Sequence, residues 1–360
     1  MREPTVPVSA EITRVTGIPG ESVFQAHGVG PDGAVAVKRQ LRRSEVLTWF
    51  GRQRPCLIGI EACGGAHYWA RELRALGHEV RLIPPAYVKP YVKRGKTDAA
   101  DAEAICEAVM RPTMRFVPIK SAESQASAML LKTRDLLVRQ RTMTINALRG
   151  HFGELGIVTG KGVARTSDLV AVVRDAADDR LPSRARSELS ALADQIETLS
   201  YEIEAFERDI VEEVRRDDEM RRLTTIPGIG PITAAAIKAL VPDIAGFTSA
   251  RHFAAWIGLT PRSHSSGGKE RLGKISKMGN TTLRTLLVLG ATTVVSHVRR
   301  GAKARESGPA WLTMLLQRRP PKVVAVALAN KMARIVYALL TKGTQYRRSD
   351  AAAGIDPVAA

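Results

Sequence analysis

The run Cys56 to Glu61, reading CLIGIE, is apolar and too short for a helix, and the turn Ala62-Cys63-Gly64-Gly65 closes it. That is the pattern of a buried β-strand. The segments around it alternate in period. Residues 66–76 (AHYWARELRAL) have helical spacing, 79–83 (EVRLI) read as a strand, and 97–110 read as a helix with Thr97 as its cap. Ahead of them, 23–29 (VFQAHGV) and 34–41 (AVAVKRQL) flank a Gly-Pro-Asp-Gly turn and predict a hairpin, and 44–52 predict a helix capped by Ser44. A hairpin followed by alternating strand and helix implies a mixed sheet with helices packed on it, an α/β class for the first third.

The rest of the chain is predicted to be helical. Leu130, Leu137, Ile145, Leu148, Phe152 and Leu155 are helically spaced, and Leu189, Leu192, Ile196, Leu199, Ile203, Phe206 and Ile210 recur in steps of three and four. That is the seam of a coiled coil, seeking a partner helix in the same chain or in a second protomer. Residues 224–240 (TTIPGIGPITAAAIKAL) read as a helix, a glycine turn and a helix. Residues 258–280 read as a Gly-, Ser- and Lys-rich loop, and 282–298 and 322–341 as apolar helices. The expected division is 1–115, α/β; 116–222, helical and coiled coil; 223–345, a mostly helical C-terminal domain; and 346–360, a disordered tail.

Charge narrows the partner. The 360 residues carry 54 Lys and Arg against 36 Asp and Glu, a formal net charge of +18. Such an excess favours a polyanion, and because the cations are spread along the chain rather than gathered on one amphipathic segment, nucleic acid is expected over a membrane surface. No apolar run looks long enough to cross a bilayer and the N-terminus lacks a signal pattern, so a cytoplasmic location is expected. Cys56, Cys63 and Cys106 form no C-x-x-C pair and are read as reduced thiols.

Two clusters carry chemistry. Glu61 ends the buried strand, where ligands gather in α/β sheets, and Asp98 and Asp101 share a face of the first turn of a helix. Hard divalent cations require such oxygen ligands, although the helix dipole alone also favours acids there. The intervening segment 84–96 holds Lys89, Lys93, Arg94 and Lys96 with Tyr87 and Tyr91 and no acid, suiting a phosphodiester held between cations and a metal. In the C-terminal third, Ile226-Pro-Gly-Ile-Gly-Pro231 resembles the hairpin of helix-hairpin-helix units, with Gly228 and Gly230 admitting a phosphate to backbone N–H groups; a plain interhelical turn is the alternative. Ser263, Ser265 and Ser266 precede Gly267-Gly268-Lys269, and Lys269, Arg271, Lys274 and Lys277 follow. A serine hydroxyl there can attack a phosphodiester, or the loop can simply face DNA.

Taken in order, residues 60–105, 134–151, 226–234 and 258–280 resemble the DEDD-type insertion-sequence transposases, recombinases guided by a bridge RNA. The resemblance runs from about Val23 to Leu340. It implies a RuvC-like first domain of the ribonuclease-H fold binding Mg²⁺ through four acids, with Glu61, Asp98 and Asp101 as the second to fourth. It also implies a helical middle for dimerisation and RNA binding, and a nucleophilic serine that forms a phosphoserine link to DNA. Ser266 matches that serine, with Ser265 as the neighbouring alternative. Donor and target DNA, a structured guide RNA and further copies of the chain, as dimer or tetramer, are the implied partners. The family's first aspartate falls, without gaps, at Ile18; Glu11 and Glu21 are the nearest acids. Two other readings follow: a family member that binds RNA and DNA without cutting, and a structure-specific junction nuclease.

Overall fold

The computed structural model describes residues 23–30, 32–93, 97–160, 162–241, 243–269, 271–300 and 309–347, together with the backbone of 9–13. Ile18, Glu21, Arg94, Lys96, Glu270, the side chain of Glu11 and the tail from 348 onward lie outside the described residues. The chain forms two compact units, residues 1–125 and 126–360.

The first unit is a five-stranded sheet of order β3-β2-β1-β4-β5. Its strands are β1 (Ser9–Thr13), β2 (Val23–Val29), β3 (Val35–Arg42), β4 (Leu57–Glu61) and β5 (Glu79–Ile83). β1 runs antiparallel to β2 and parallel to β4, and β4 parallel to β5. Three antiparallel strands followed by two parallel ones are the arrangement expected of a ribonuclease-H-like domain. The hairpin, both buried strands and the helices at 66–76 and 97–110 form as their periods predict. Ser44 does not cap a helix: a 3-10 turn at Arg43–Glu45 precedes α1 (Val46–Gly51), and Glu45 reaches back to the Arg42 N–H at 2.8 Å.

β4 explains how the sheet is covered. Ile58 and Ile60 point into a core shared with Phe24, Ala26, Leu41, Val46, Phe50, Val80, Leu82 and α2 (Ala66–Ala75), which buries Trp69 and Leu73. Gly59 points the other way, because side chains alternate along a strand. A β-carbon there would lie 3.0 Å from Ile105 and 3.1 Å from Val109, so the glycine lets α4 (Asp98–Val109) press onto the sheet. Thr97 caps α4 as its sequence predicts, its hydroxyl accepting the Ala100 N–H at 3.2 Å.

In the second unit the long helices α5 (Ala122–Glu154) and α7 (Ser183–Arg216) run antiparallel. Arg134 pairs with Glu207, Arg141 bonds Ser200 at 3.4 Å, and Leu148 shares a core with Ala193. The seam residues Leu189, Ile196, Leu199, Ile203 and Ile210 are buried within the chain, partly by α5 and α6 (Thr166–Arg174). Toward its C-terminal end, α7 joins a second core with α8 (Asp218–Thr224), α9 (Pro231–Leu240), α10 (Ala250–Ile257), α11 (Thr281–Arg299), α12 (Ala310–Arg318) and α13 (Pro321–Lys342).

Three sequence expectations change. The stretch 258–280 is not all loop: β6 (Pro261–Ser263) and β7 (Leu272–Ile275) pair as an antiparallel hairpin. Helix α13 does have the length and composition to cross a bilayer, yet Val324, Ala325, Leu328, Ala329, Met332, Ala333, Val336 and Leu339 are buried in the protein core. Tyr346, assigned to the tail, packs on that core, and its N–H meets the Thr225 hydroxyl at 3.3 Å.

Candidate functional site

The strand register locates the acidic site. Ala10, Glu11 and Ile12 of β1 pair with Ile58, Gly59 and Ile60 of β4. The next β1 residue, Thr13, therefore comes level with Glu61. Glu11 stands opposite Gly59, one same-face step earlier. Continuing that register puts Thr13 beside Glu61, while Ile18, the position that an ungapped reading gives, lies outside the described residues.

Glu61 is half-buried and lies two residues beyond Gly59, so it faces the side of the sheet that α4 covers. Asp98 is exposed and Asp101 half-buried in the first turn of α4. The helix crosses the sheet: the carbonyl of Val109 meets Arg81 of β5 at 3.5 Å, while Glu103 lies near His27 of β2. His27 is buried beside Glu103, and desolvation outweighs that carboxylate, pushing the imidazole below its ordinary pKa. Among the described residues, no three His, Cys, Asp or Glu side chains converge as a metal-ligand group, so Glu61, Asp98 and Asp101 do not close a ligand set.

The basic segment beside the acids is docked, not free. Val88 is buried with Ile83, Ile105 and Val109, and Tyr91 packs on the same core under the Arg111 guanidinium, 5.7 Å from its ring centroid. Lys93 is ion-paired to Glu103, and the bond holds that carboxyl below the ordinary range. Lys89 and Tyr87 remain exposed. Neither the docking of Tyr91 nor the role of Glu103 had a signal in the sequence beyond an acid ten residues after a lysine.

In the second unit, the β6–β7 hairpin projects the serines. Ser266 and Lys269 pair across its tip, and Gly267 and Gly268 take φ of +56° and +77°. Two successive positive φ values make the tight turn whose twist suits a hairpin, and glycine adopts them without a Cβ penalty. The three serines differ. The Ser265 hydroxyl bonds that of Ser263 at 2.9 Å and accepts the Arg271 N–H at 3.1 Å, so it serves the hairpin. Ser266 is exposed at the tip, and its hydroxyl has no hydrogen bond among the described residues. Lys269, opposite Ser266, and Arg271, Lys274 and Lys277, farther along toward the hairpin root, are exposed, with no ion pair among the described residues.

The root of the hairpin is fixed by groups that sequence reading missed. Arg284 donates to the carbonyls of Ile257 and Met278 at 2.9 and 3.0 Å, and Asn330 donates to that of Leu259 at 3.1 Å. Asn330 is the polar exception on the apolar face of α13, and that was its one legible sign. The two glycines of the 226–231 turn also differ. Gly228 is packed against Gly290 and Met332, whereas Gly230 is exposed at the start of α9 with nothing within 4 Å of a β-carbon.

Comparison with known proteins identifies the family. A DEDD transposase model of IS110 elements matches residues 20–156, and a model described as "Transposase IS116/IS110/IS902 family" matches 220–306. The chain is 51% identical to the "Probable family 20 transposase" of Pseudomonas aeruginosa, over 91% of this chain and 96% of that protein. It is 38% identical to the transposase for insertion sequence element IS1111A of Coxiella burnetii, over 91% and 89% of the two chains. With the transposase for IS1328 of Yersinia enterocolitica the identity is 36%, over 91% and 97%. The DEDD match points to a divalent metal, and carboxylates such as Glu61, Asp98 and Asp101 are the hard oxygen donors that such an ion requires. Sharing this much sequence across nearly its whole length, the chain belongs to the IS116/IS110/IS902 family of insertion-sequence transposases and is a DNA transposase.

Proposed function

We propose that this transposase cuts and rejoins DNA through a covalent phosphoserine at Ser266, with Mg²⁺ held by Glu61, Asp98 and Asp101 and with a structured RNA choosing donor and target. The observation that carries the reading is the hairpin tip. It presents a serine whose hydroxyl has no hydrogen bond among the described residues, opposite Lys269, while the adjacent Ser265 is committed to the turn. In the step, Ser266 Oγ bonds to the scissile phosphorus as one P–O ester bond breaks. The serine proton leaves to solvent, and the departing sugar hydroxyl takes up a proton. Lys269, Arg271, Lys274 and Lys277 would stabilise the charge gathering on the phosphoryl oxygens. When bound, Mg²⁺ supplies further neutralisation of the phosphate. Lys89, Lys93, Arg94, Lys96, Gly228 and Gly230 are the remaining candidates for nucleic-acid contact in this reading, and the +18 charge supports both DNA and RNA as partners. The acids and the serine lie in separate units, which suits a catalytic centre assembled from two or more copies of the chain.

A denaturant-resistant protein–DNA adduct, formed with Mg²⁺, the element's RNA and both DNA partners, tests this. It is expected with the natural chain and lost with Ser266→Ala; an adduct that persists in Ser266→Ala sinks the assignment. A second reading has one observation in its favour. Continuing the β1–β4 register puts Thr13, not an acid, level with Glu61, and a metal site short of one carboxylate would leave a chain that binds without cutting. An adduct that forms only after an aspartate is restored on the first strand would establish that reading.

A further inference from the structure

We propose that Lys331 and Arg334 of α13 form a binding site for a DNA backbone phosphate at the root of the serine hairpin. The two cations are three residues apart, hence on one face of the helix, and both are half-buried. Neither has an ion pair among the described residues. The Lys331 ammonium lies 4.5 Å from the centroid of the Trp311 ring, which fixes its stem and head against α12. Arg334 buries its Nε–H without a hydrogen-bond partner among the described residues. A buried guanidinium donor left unmade costs free energy, and so does a like charge beside it. Burial and then Arg334 push the Lys331 ammonium below its ordinary pKa, the response of a cation whose surroundings lack a counter-charge.

The flanking chain is of one sign. From Pro309 to Arg347 the chain has seven Lys or Arg and no Asp or Glu, so no carboxylate of α12 or α13 can serve these cations. An anion from outside the chain would satisfy the Nε–H and relieve the repulsion together. Location favours DNA as its source. Asn330, next to Lys331 and one turn before Arg334, holds the carbonyl of Leu259, and two residues later β6 begins the hairpin that carries Ser266. A strand engaged by that hairpin would pass its neighbouring phosphate across this face. The inference rests on the chain acting on DNA and not on Ser266 being the nucleophile.

The test is binding without cleavage. Full-length protein is titrated with labelled duplex DNA and, in parallel, duplex RNA, with chelator present, across a salt series. Lys331→Met keeps the packing on Trp311, and Arg334→Lys keeps the charge of a variant that folds, alongside Arg334→Gln. Lys331→Met and Arg334→Gln are each expected to flatten the slope of log affinity against log salt on DNA by about one, with Arg334→Lys close to the natural chain. In the absence of nucleic acid, Lys331→Met is expected to melt higher, since an uncompensated charge has gone. Unchanged slopes on DNA in folded Lys331→Met and Arg334→Gln overturn the proposal, as does a change confined to RNA. Because no bond is cut, failure here is separable from failure of the Ser266 adduct.

Discussion

Gly290 of α11 and Gly228 of the interhelical turn touch through their backbones: a β-carbon on Gly290 would lie 1.9 Å from the Gly228 carbonyl oxygen. Neither helix can withdraw without breaking the core that Ile226, Ile229, Leu287 and Met332 share. Gly290→Ala is therefore expected to destabilise the C-terminal unit by about 3 kcal/mol, the upper end of overpacking costs. Its melting would fall by roughly 6–12 °C for a unit of this size. Gly230→Ala, with open space around it, should cost under about 1 kcal/mol while weakening DNA binding by blocking backbone approach. Equal melting losses in the two variants would refute this division of roles.

The register of β1 makes a competing pair of predictions for the metal site. Thr13→Asp restores a carboxylate level with Glu61 and is expected to tighten Mn²⁺ binding by about tenfold, equivalent to roughly 1.4 kcal/mol, as read by calorimetry. Ile18→Asp is expected to leave it unchanged. Asp98→Ala and Asp101→Ala should both abolish strand exchange and leave RNA binding in place. A gain with Ile18→Asp and none with Thr13→Asp would overturn the register argument.

Much of this was legible in the sequence because it depends on local rules. The CLIGIE run, the hairpin around Gly30-Pro31-Asp32-Gly33 and the Thr97 cap are set by residues close in the chain, and all form as read. The β6–β7 hairpin was not legible. Its strands are exposed, Pro261–Ser263 has no apolar alternation, and its register is set by Gly267 and Gly268 together with long-range anchors such as Arg284 and Asn330. The docking of Val88 and Tyr91 was hidden for a related reason. A segment rich in Lys reads as solvated until the helix it packs on is known.

Within the hairpin, Ser265→Ala removes the acceptor of the Arg271 N–H and the partner of Ser263, but leaves the tip hydroxyl in place. Adduct formation is expected to slow by about tenfold, a barrier change near 1.4 kcal/mol. Ser266→Ala should leave none. If single-turnover assays instead show Ser265→Ala dead and Ser266→Ala live, the nucleophile is Ser265.

Lys89 and Lys93 should separate in a salt series. Lys89 is exposed, whereas Lys93 is tied to Glu103, so Lys89→Ala is expected to flatten the salt slope by about one and Lys93→Ala by clearly less. Glu103→Gln releases Lys93 and should steepen it. Identical slopes for the two lysine variants would show that the pair opens when DNA binds.

Asp217 links two elements and gives the C-terminal unit an acid-sensitive brace. Its carboxylate caps α8 by accepting the Met220 N–H at 2.8 Å, and lies 3.3 Å from the Lys238 ammonium, which also meets Glu219 at 3.2 Å. Burial opposes the charge on Asp217, but the Met220 N–H and Lys238 outweigh it and hold the carboxyl below its ordinary pKa. Burial likewise opposes the charge on Lys238, and Glu219 and Asp217 overcome it, so its pKa is raised. A depressed carboxyl contributes stability that is present above its unfolded value and disappears as pH falls through the folded one. A raised ammonium contributes below its unfolded value and loses that contribution as pH climbs through the folded one. The brace is thus complete between the two windows, at neutral pH. Asp217→Ala is expected to cost about 1 kcal/mol there, the usual worth of an N-terminal cap, with the loss shrinking once the carboxyl of the natural chain is itself protonated. Denaturant titrations from neutral to acid pH measure both, and a difference between the two chains that stays constant into strong acid would remove Asp217 from this role.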